Sequence, residues 1–184
     1  MLAGKKIGFV LTVGQLGKTA ILREIKKMMF AGAETFIVLL DLAEKKETIA
    51  KRLQSIFAPS LPDTNRPAFL SRRPLPDLLV LAPDSEILWG CLEQITGGGT
   101  PPFPLVLITA PGNMPAQPLN SVSSLMKRNG IYFVPFGPIE QRQKKKGKRS
   151  VLHSRLDLIA ETCAAALEGH QLKPSTWEDL SFPH

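Results

Sequence analysis

The chain has 184 residues, of which 43% are hydrophobic and 21% are charged, a composition typical of a globular protein. Its first apolar run, Ile7 to Leu11, is too short for a signal peptide or a membrane span. The formal net charge of +7 suggests nucleic acid, but six of the cations lie between Gln141 and Arg149, where no aromatic residue is present to stack on bases. We therefore expect a protein that binds neither a membrane nor nucleic acid.

Five short apolar runs alternate with segments of helical periodicity. The runs cover residues 7–11, 36–40, 78–82, 105–110 and 131–134, and helices are predicted at 18–31, 42–57, 84–95, 120–127 and 156–169. This alternation predicts a parallel sheet covered by helices on both faces. We expect one α/β/α domain over residues 1–184, with an open, mostly parallel, Rossmann-like sheet of five or six strands. Its predicted core includes Leu79, Val106, Leu107 and Val134.

Three segments are predicted to be irregular: a proline-rich loop at 58–76, a basic loop at 138–150 and a C-terminal tail at 170–184. The stretch 135–138 is predicted to be a turn that closes the last strand of the sheet. The first long helix is predicted to turn one apolar side inward, with Ile21, Leu22, Ile25, Met28 and Met29, and to stop at Gly32. The last helix is predicted to bury Leu156, Ile159, Cys163 and Leu167 and to stop at Gly169.

The loop after the first strand has features that are typical of a phosphate-binding loop. Gly17-Lys18-Thr19 follows a strand and opens a helix, which is the context of a P-loop, but Thr12 stands where the Walker A motif needs glycine. A nucleotide-binding ATPase therefore remains only one alternative. A helix N-terminus offers N–H groups and positive partial charge to any phosphate. The other interpretation is an ordinary turn without a ligand.

The last third of the chain carries a family resemblance. The string NGIYFVPFGP, a lysine-rich loop, and then SVLHSRLDLIAETCAAALEGHQLKP resemble the B subunits of dipicolinate synthase. These subunits belong with the flavoproteins that include flavin-dependent cysteine decarboxylases. The resemblance implies a flavoprotein-type fold and a role, beside an A-type subunit, in oxidising a dihydrodipicolinate-type precursor to pyridine-2,6-dicarboxylate during sporulation.

The same resemblance implies FMN as a cofactor, NADP on the A-type subunit, a small anionic dicarboxylate substrate and a homo-oligomer. It leaves open whether this chain is itself an enzyme or a non-catalytic partner subunit that has lost its flavin. The family motif of the type Pro-x-Ser/Thr-x-Asn-Thr is matched by Pro83 and Ser85, whereas Ile87 and Leu88 stand at the Asn-Thr positions. A Pro-Ala-Met-Asn segment is matched loosely by residues 110–114.

The candidate cofactor-binding residues are therefore Thr12, Gly14, Gln15, Pro83, Ser85, Asn113 and Met114. For Ser85 the alternative is a helix cap, and for Asn113 it is an ordinary turn residue.

Neither the histidines nor the cysteines point to a catalytic or metal site. The decarboxylase relatives use a histidine in their N-terminal half, whereas the histidines here are His153, His170 and His184, so cysteine-type decarboxylation is not expected. His153 is predicted to be an exposed residue at the start of the last helix, and the alternative is that it faces an anionic ligand. Cys91 and Cys163 lack metal-ligand spacing and are expected to be reduced, buried thiols of a cytoplasmic protein. We predict no metal site, and no catalytic residue can be assigned from the sequence.

Overall fold

The computed structural model describes residues 2–16, 18–41, 48, 76–83, 92, 100–109, 124–138 and 152–172. The strands are β1 (Lys6–Thr12), β2 (Glu34–Leu40), β3 (Leu78–Leu81), β4 (Leu105–Leu107), β5 (Ile131–Phe133), β6 (Phe136–Pro138) and β7 (Leu152–Ser154). The helices are α1 (Val13–Leu16), α2 (Thr19–Phe30) and α3 (Ile159–Leu167), the last preceded by a 3₁₀ turn at Leu156–Leu158.

Within the described residues, five strands form one parallel sheet in the order β2-β1-β3-β4-β5. One face packs against α2 and α3 through a cluster that includes Phe9 and Cys163. The other face packs against Leu92 and Leu125, which come from the chain segments between β3, β4 and β5. The prediction of a parallel sheet covered on both faces is confirmed. So is the predicted core, because Leu79, Val106, Leu107 and Val134 are fully buried.

Helix α2 buries a narrower stripe than the sequence suggested. It buries Ile21, Ile25 and Met28, and it is followed by Gly32 at φ +85°, the left-handed geometry that stops helices at glycine. Leu22 and Met29, predicted on the apolar side, are 36% and 55% exposed. That part of the prediction was wrong, because only Ile21, Ile25 and Met28 of the five apolar residues join the core cluster on this face of the sheet.

The prediction of a turn at 135–138 was also wrong. Phe136–Pro138 forms β6, which pairs antiparallel with β7 and places Gly137 opposite His153. Proline fixes φ near the extended range, so Pro135 and Pro138 are compatible with a short strand as well as with a turn. His153 accordingly lies in a strand, not at the start of the last helix, and Pro138 belongs to β6 rather than to the basic loop.

The outer edge of β5 is closed by a side chain from the C-terminal segment. The Phe133 N–H donates to Gln171 Oε1 at 2.8 Å, and Gln171 Nε2 donates to the Phe133 carbonyl at 2.6 Å. The amide thus makes both hydrogen bonds that a further strand would make with this residue. Covering an edge in this way disfavours pairing with another chain.

A buried carboxylate on α2 caps α3. Glu24 is only 2% exposed, and its Oε2 accepts from the Ala160 N–H at 3.4 Å and from Lys27 Nζ at 3.2 Å. Lys27 also reaches Glu161 at 3.2 Å, and the hydrogen bond to Glu161 is the main reason why the pKa of Lys27 is raised. A carboxylate at the first turn of a helix is stabilised by the free N–H groups there. Glu24 therefore joins the two helices that cover this face of the sheet.

Replacing Glu24 by alanine is expected to lower the free energy of unfolding by about 1–3 kcal/mol, because a buried N–H loses a charged acceptor. The matched control is Glu161→Ala, which removes the exposed partner of the same lysine and is expected to cost about 0–1 kcal/mol. Urea unfolding of both variants measures the difference. Equal losses for the two would show that Glu24 acts only as a surface ion pair.

Candidate functional site

The strand order reverses between β1 and β3. In open α/β sheets, ligands bind outside the carboxyl ends of the strands at such a reversal, and sheets of this order bind FMN between β1 and β3. The described residues at this point are Thr12, which ends β1, the segment from α1 to Lys18, and Ala82 and Pro83, which follow β3. We call this place the switch-point crevice.

Gln15 lies at the base of the switch-point crevice and joins its two sides. Its Oε1 accepts from the Thr12 N–H at 2.9 Å, and its Nε2 donates to the Ala82 carbonyl at 2.6 Å. The side chain is 3% exposed. Because buried polar groups need partners, this amide satisfies one backbone group from each strand end.

The first side of the crevice has features that suit a phosphate. Gly14 is exposed, and among the described residues a Cβ placed on it would have no atom of another element within 4 Å. Lys18 is an exposed cation at the N-cap of α2, and the described residues provide no side-chain cap to that helix end. The N–H groups at the start of a helix, a nearby cation and an exposed glycine together favour an anionic group.

The structure brings together only part of the predicted set. Thr12, Gly14, Gln15 and Pro83 all lie at the switch-point crevice, with Thr12, Gln15 and Pro83 buried. Ser85, Asn113 and Met114 lie outside the described residues. The burial of Thr12 and the two bonds made by Gln15 indicate that these residues shape the crevice, whereas Gly14 faces outward.

A second polar cluster, which the sequence did not reveal, lies at the ends of β4 and β5. The Thr109 N–H donates to Ser154 Oγ at 2.9 Å, and the Ser154 N–H donates to the Thr109 carbonyl at 3.1 Å. Ser154 Oγ also lies 3.5 Å from the Val134 carbonyl. The strand pair β6–β7 is thereby attached to Thr109, which follows β4. In the sequence, the only indication of this cluster was that Ser154 lies within the string that resembles the dipicolinate synthase B subunits.

Cys163 is fully buried, and burial raises the pKa of its thiol far above the ordinary value. Its prediction as a reduced, buried thiol is confirmed, whereas Cys91 lies outside the described residues. Among the described residues, no cluster of three or more His, Cys, Asp or Glu side chains has metal-site geometry. No helix in that part of the chain is both long enough and apolar enough to cross a membrane.

A cleft of about 490 Å³ lies beside the start of β5, at the opposite end of the strands from the switch-point crevice. Its lining includes Met126, Arg128, Tyr132 and Gln171. No sequence pattern predicted it. Its position at the amino ends of the strands is not where doubly wound sheets bind their ligands.

The strand order and the switch-point crevice define a doubly wound α/β protein. A crystal structure of the B subunit of dipicolinate synthase from Bacillus halodurans is similar, with a TM-score of 0.59, and the match covers 95% of this chain and 96% of that one. The two sequences are 21% identical over this match, and the likeness shows a shared fold. No protein-family model matches the chain, and no curated protein does.

Proposed function

We propose that this chain acts as a B-type subunit of a dipicolinate synthase-like oxidoreductase and binds FMN in the switch-point crevice. The observation that carries the proposal is the match to a B subunit over nearly the full length of both chains, together with a strand order that suits FMN. The sequence resemblance in the last third points the same way. The substrate would be a small dicarboxylate of the dihydrodipicolinate type, oxidised during sporulation beside an A-type subunit that binds NADP.

The described residues fit the phosphate end of FMN. The cofactor supplies the capacity to accept a hydride or electrons. Lys18 would balance the phosphate charge, and the first N–H groups of α2 would donate to its oxygens. Gly14 leaves the space in which a phosphate can approach the backbone. On the other side of the crevice, Pro83 precedes Ser85 in the sequence by two positions.

A second candidate is a non-catalytic partner that keeps the fold without the flavin. It is favoured by the Gln15 amide, which already occupies the Thr12 N–H and the Ala82 carbonyl. It is also favoured by the apolar Ile87 and Leu88 at positions where the family motif has Asn-Thr. An ATPase of the P-loop type is disfavoured, because the Thr12 N–H donates to Gln15 rather than pointing into a phosphate cradle.

The flavin content and FMN uptake of the purified protein distinguish between the first two candidates. A yellow protein that releases FMN on denaturation, or a colourless one that takes up FMN stoichiometrically, supports the flavin-binding candidate. A protein that copurifies with the A-type subunit of a dipicolinate synthase but takes up no FMN supports the partner without a cofactor. Light scattering tests the proposed homo-oligomer, and a monomer that does not bind the A-type subunit would contradict both candidates.

The basic loop provides a further prediction, although it lies outside the described residues. The chain leaves β6 at Pro138 and returns at Leu152, on the carboxyl side of the sheet. A dianionic substrate would be attracted by the cations between these residues. Replacing Lys144, Lys145, Lys146 and Lys148 by glutamine is expected to lower kcat/KM of the reconstituted complex at low salt and to leave kcat nearly unchanged.

The loss is expected to shrink as salt rises, since the Debye length is only about 8 Å at physiological ionic strength. An unchanged kcat/KM at low salt would identify the loop as solvated surface. A loss that is equal at every salt concentration would indicate a docking contact with the A-type subunit instead of steering.

A further inference from the structure

The contact between β1 and β3 continues beyond the last residues that the strands pair directly. The ladder runs as far as Val10 and Leu81. Past that point, the Gln15 side chain connects the Thr12 N–H to the Ala82 carbonyl, at 2.9 Å and 2.6 Å. A side-chain amide has the same donor and acceptor groups as a peptide unit. It therefore acts as one more rung between two strands.

This rung joins the two loops to which a ligand of the switch-point crevice would bind. Gln15 shares the one-turn helix α1 with Gly14, and its backbone carbonyl accepts from the Lys18 N–H at 3.0 Å. The Ala82 carbonyl lies directly before Pro83, and these two residues form the described part of the second side. The side chain is buried and its amide bonds to both strand ends. Its effect on a ligand therefore runs through the spacing of the two loops.

We infer that Gln15 is a positioning residue that sets the separation between the two sides of the switch-point crevice. The inference rests on the proposed function, in which the first side holds the FMN phosphate and the second side faces the flavin ring. A ligand that spans both sides gains affinity when the sides are held at the correct distance. A ligand that occupies one side gains nothing from that distance. Loss of the rung is therefore expected to affect FMN far more than its fragments.

Two variants test this inference. Gln15→Met keeps the length of the side chain and removes both polar groups. Gln15→Glu keeps an acceptor for the Thr12 N–H, but a carboxylate offers no donor to the Ala82 carbonyl. Gln15→Met is expected to weaken FMN binding by about tenfold or more, while the affinities for riboflavin and for inorganic phosphate stay within about twofold of wild type. Fluorescence quenching and calorimetry measure the three dissociation constants.

The pH dependence of FMN affinity in Gln15→Glu distinguishes a positioning role of Gln15 from a general loosening of the fold. Protonation gives the introduced carboxyl of Gln15→Glu an O–H that can donate to the Ala82 carbonyl. The FMN affinity of this variant, relative to Gln15→Met at the same pH, is therefore expected to recover as the pH falls. The comparison with Gln15→Met removes the effect of the titrating FMN phosphate. If Gln15→Met does not fold, Gln15→Glu at low and high pH provides the same contrast within one protein.

Equal weakening of FMN and riboflavin, or no weakening of either, would overturn the inference. If the wild-type protein takes up no FMN, the flavin part of the proposed function fails, and hydrogen–deuterium exchange then decides the role of Gln15. Gln15→Met is expected to raise exchange both in peptides covering residues 12–19 and in peptides covering 83–91. An increase confined to 12–19 would show that Gln15 supports only its own turn.

Discussion

Replacing Gly8 by alanine is expected to lower the free energy of unfolding by about 1–3 kcal/mol, because the added methyl group has no space in the sheet. A Cβ at Gly8 would lie 2.7 Å from Phe36 Cζ and 2.8 Å from Leu79 Cδ1. These two residues lie opposite Gly8 on the neighbouring strands β2 and β3. Phe36 is partly buried against the core and Leu79 is fully buried, so a shift of either side chain to admit the methyl group would disturb the core packing.

Urea unfolding at constant m-value measures this loss. The double variant Gly8→Ala with Phe36→Leu is expected to show a favourable interaction energy, because the smaller side chain makes room for the methyl group. A loss below about 0.5 kcal/mol for Gly8→Ala alone would contradict the close packing of β2, β1 and β3, since that is the range of neutral surface substitutions.

Gly14→Ala, unlike Gly8→Ala, is expected to weaken FMN binding without lowering the free energy of unfolding. Its Cβ would have no atom of another described element within 4 Å, and its φ is not positive, so stability should stay the same or rise by up to about 1 kcal/mol. In the proposed complex, however, the methyl group would occupy the space through which the phosphate approaches the backbone. FMN affinity is therefore expected to fall by about tenfold or more, equal to about 1.4 kcal/mol.

Titrations of the Gly14→Ala variant with FMN and with riboflavin show whether the loss of affinity comes from the phosphate. Riboflavin lacks the phosphate, and its affinity is expected to change little. An unchanged FMN affinity would place the phosphate away from Gly14. A loss of stability as large as that of Gly8→Ala would show that α1 packs more tightly than the structure has it.

The sheet was predictable because each of its strands is a short, continuous apolar run. Leu78–Leu81 and Leu105–Leu107 are buried on both faces, which is what such runs indicate. The strand order was not predictable, because it depends on which distant runs pair, and no local pattern records that choice. The position of the crevice between β1 and β3 follows from the order and so became visible only with the structure.

The polar residues that join these elements were mostly missed. Gln15 was named as a candidate cofactor-binding residue, but its role in joining two strand ends was not predicted, since its contact with Ala82 crosses 67 positions. Glu24 left a signal, because it lies on the same helical stripe as Ile21 and Met28, where a charged residue needs a partner. The hairpin β6–β7 was missed because Gly137 between two prolines is equally typical of a turn.

The most direct test of the proposed function is a reconstituted assay. The A-type subunit of a dipicolinate synthase, NADP and a dihydrodipicolinate-type substrate are mixed with and without this chain, and formation of pyridine-2,6-dicarboxylate is followed. The proposal predicts that equimolar chain raises the rate at least about tenfold, a barrier change of about 1.4 kcal/mol, and that Gly14→Ala loses most of this gain at limiting FMN. A rate that is the same with and without the chain, together with no complex between the chain and the A-type subunit, would contradict it.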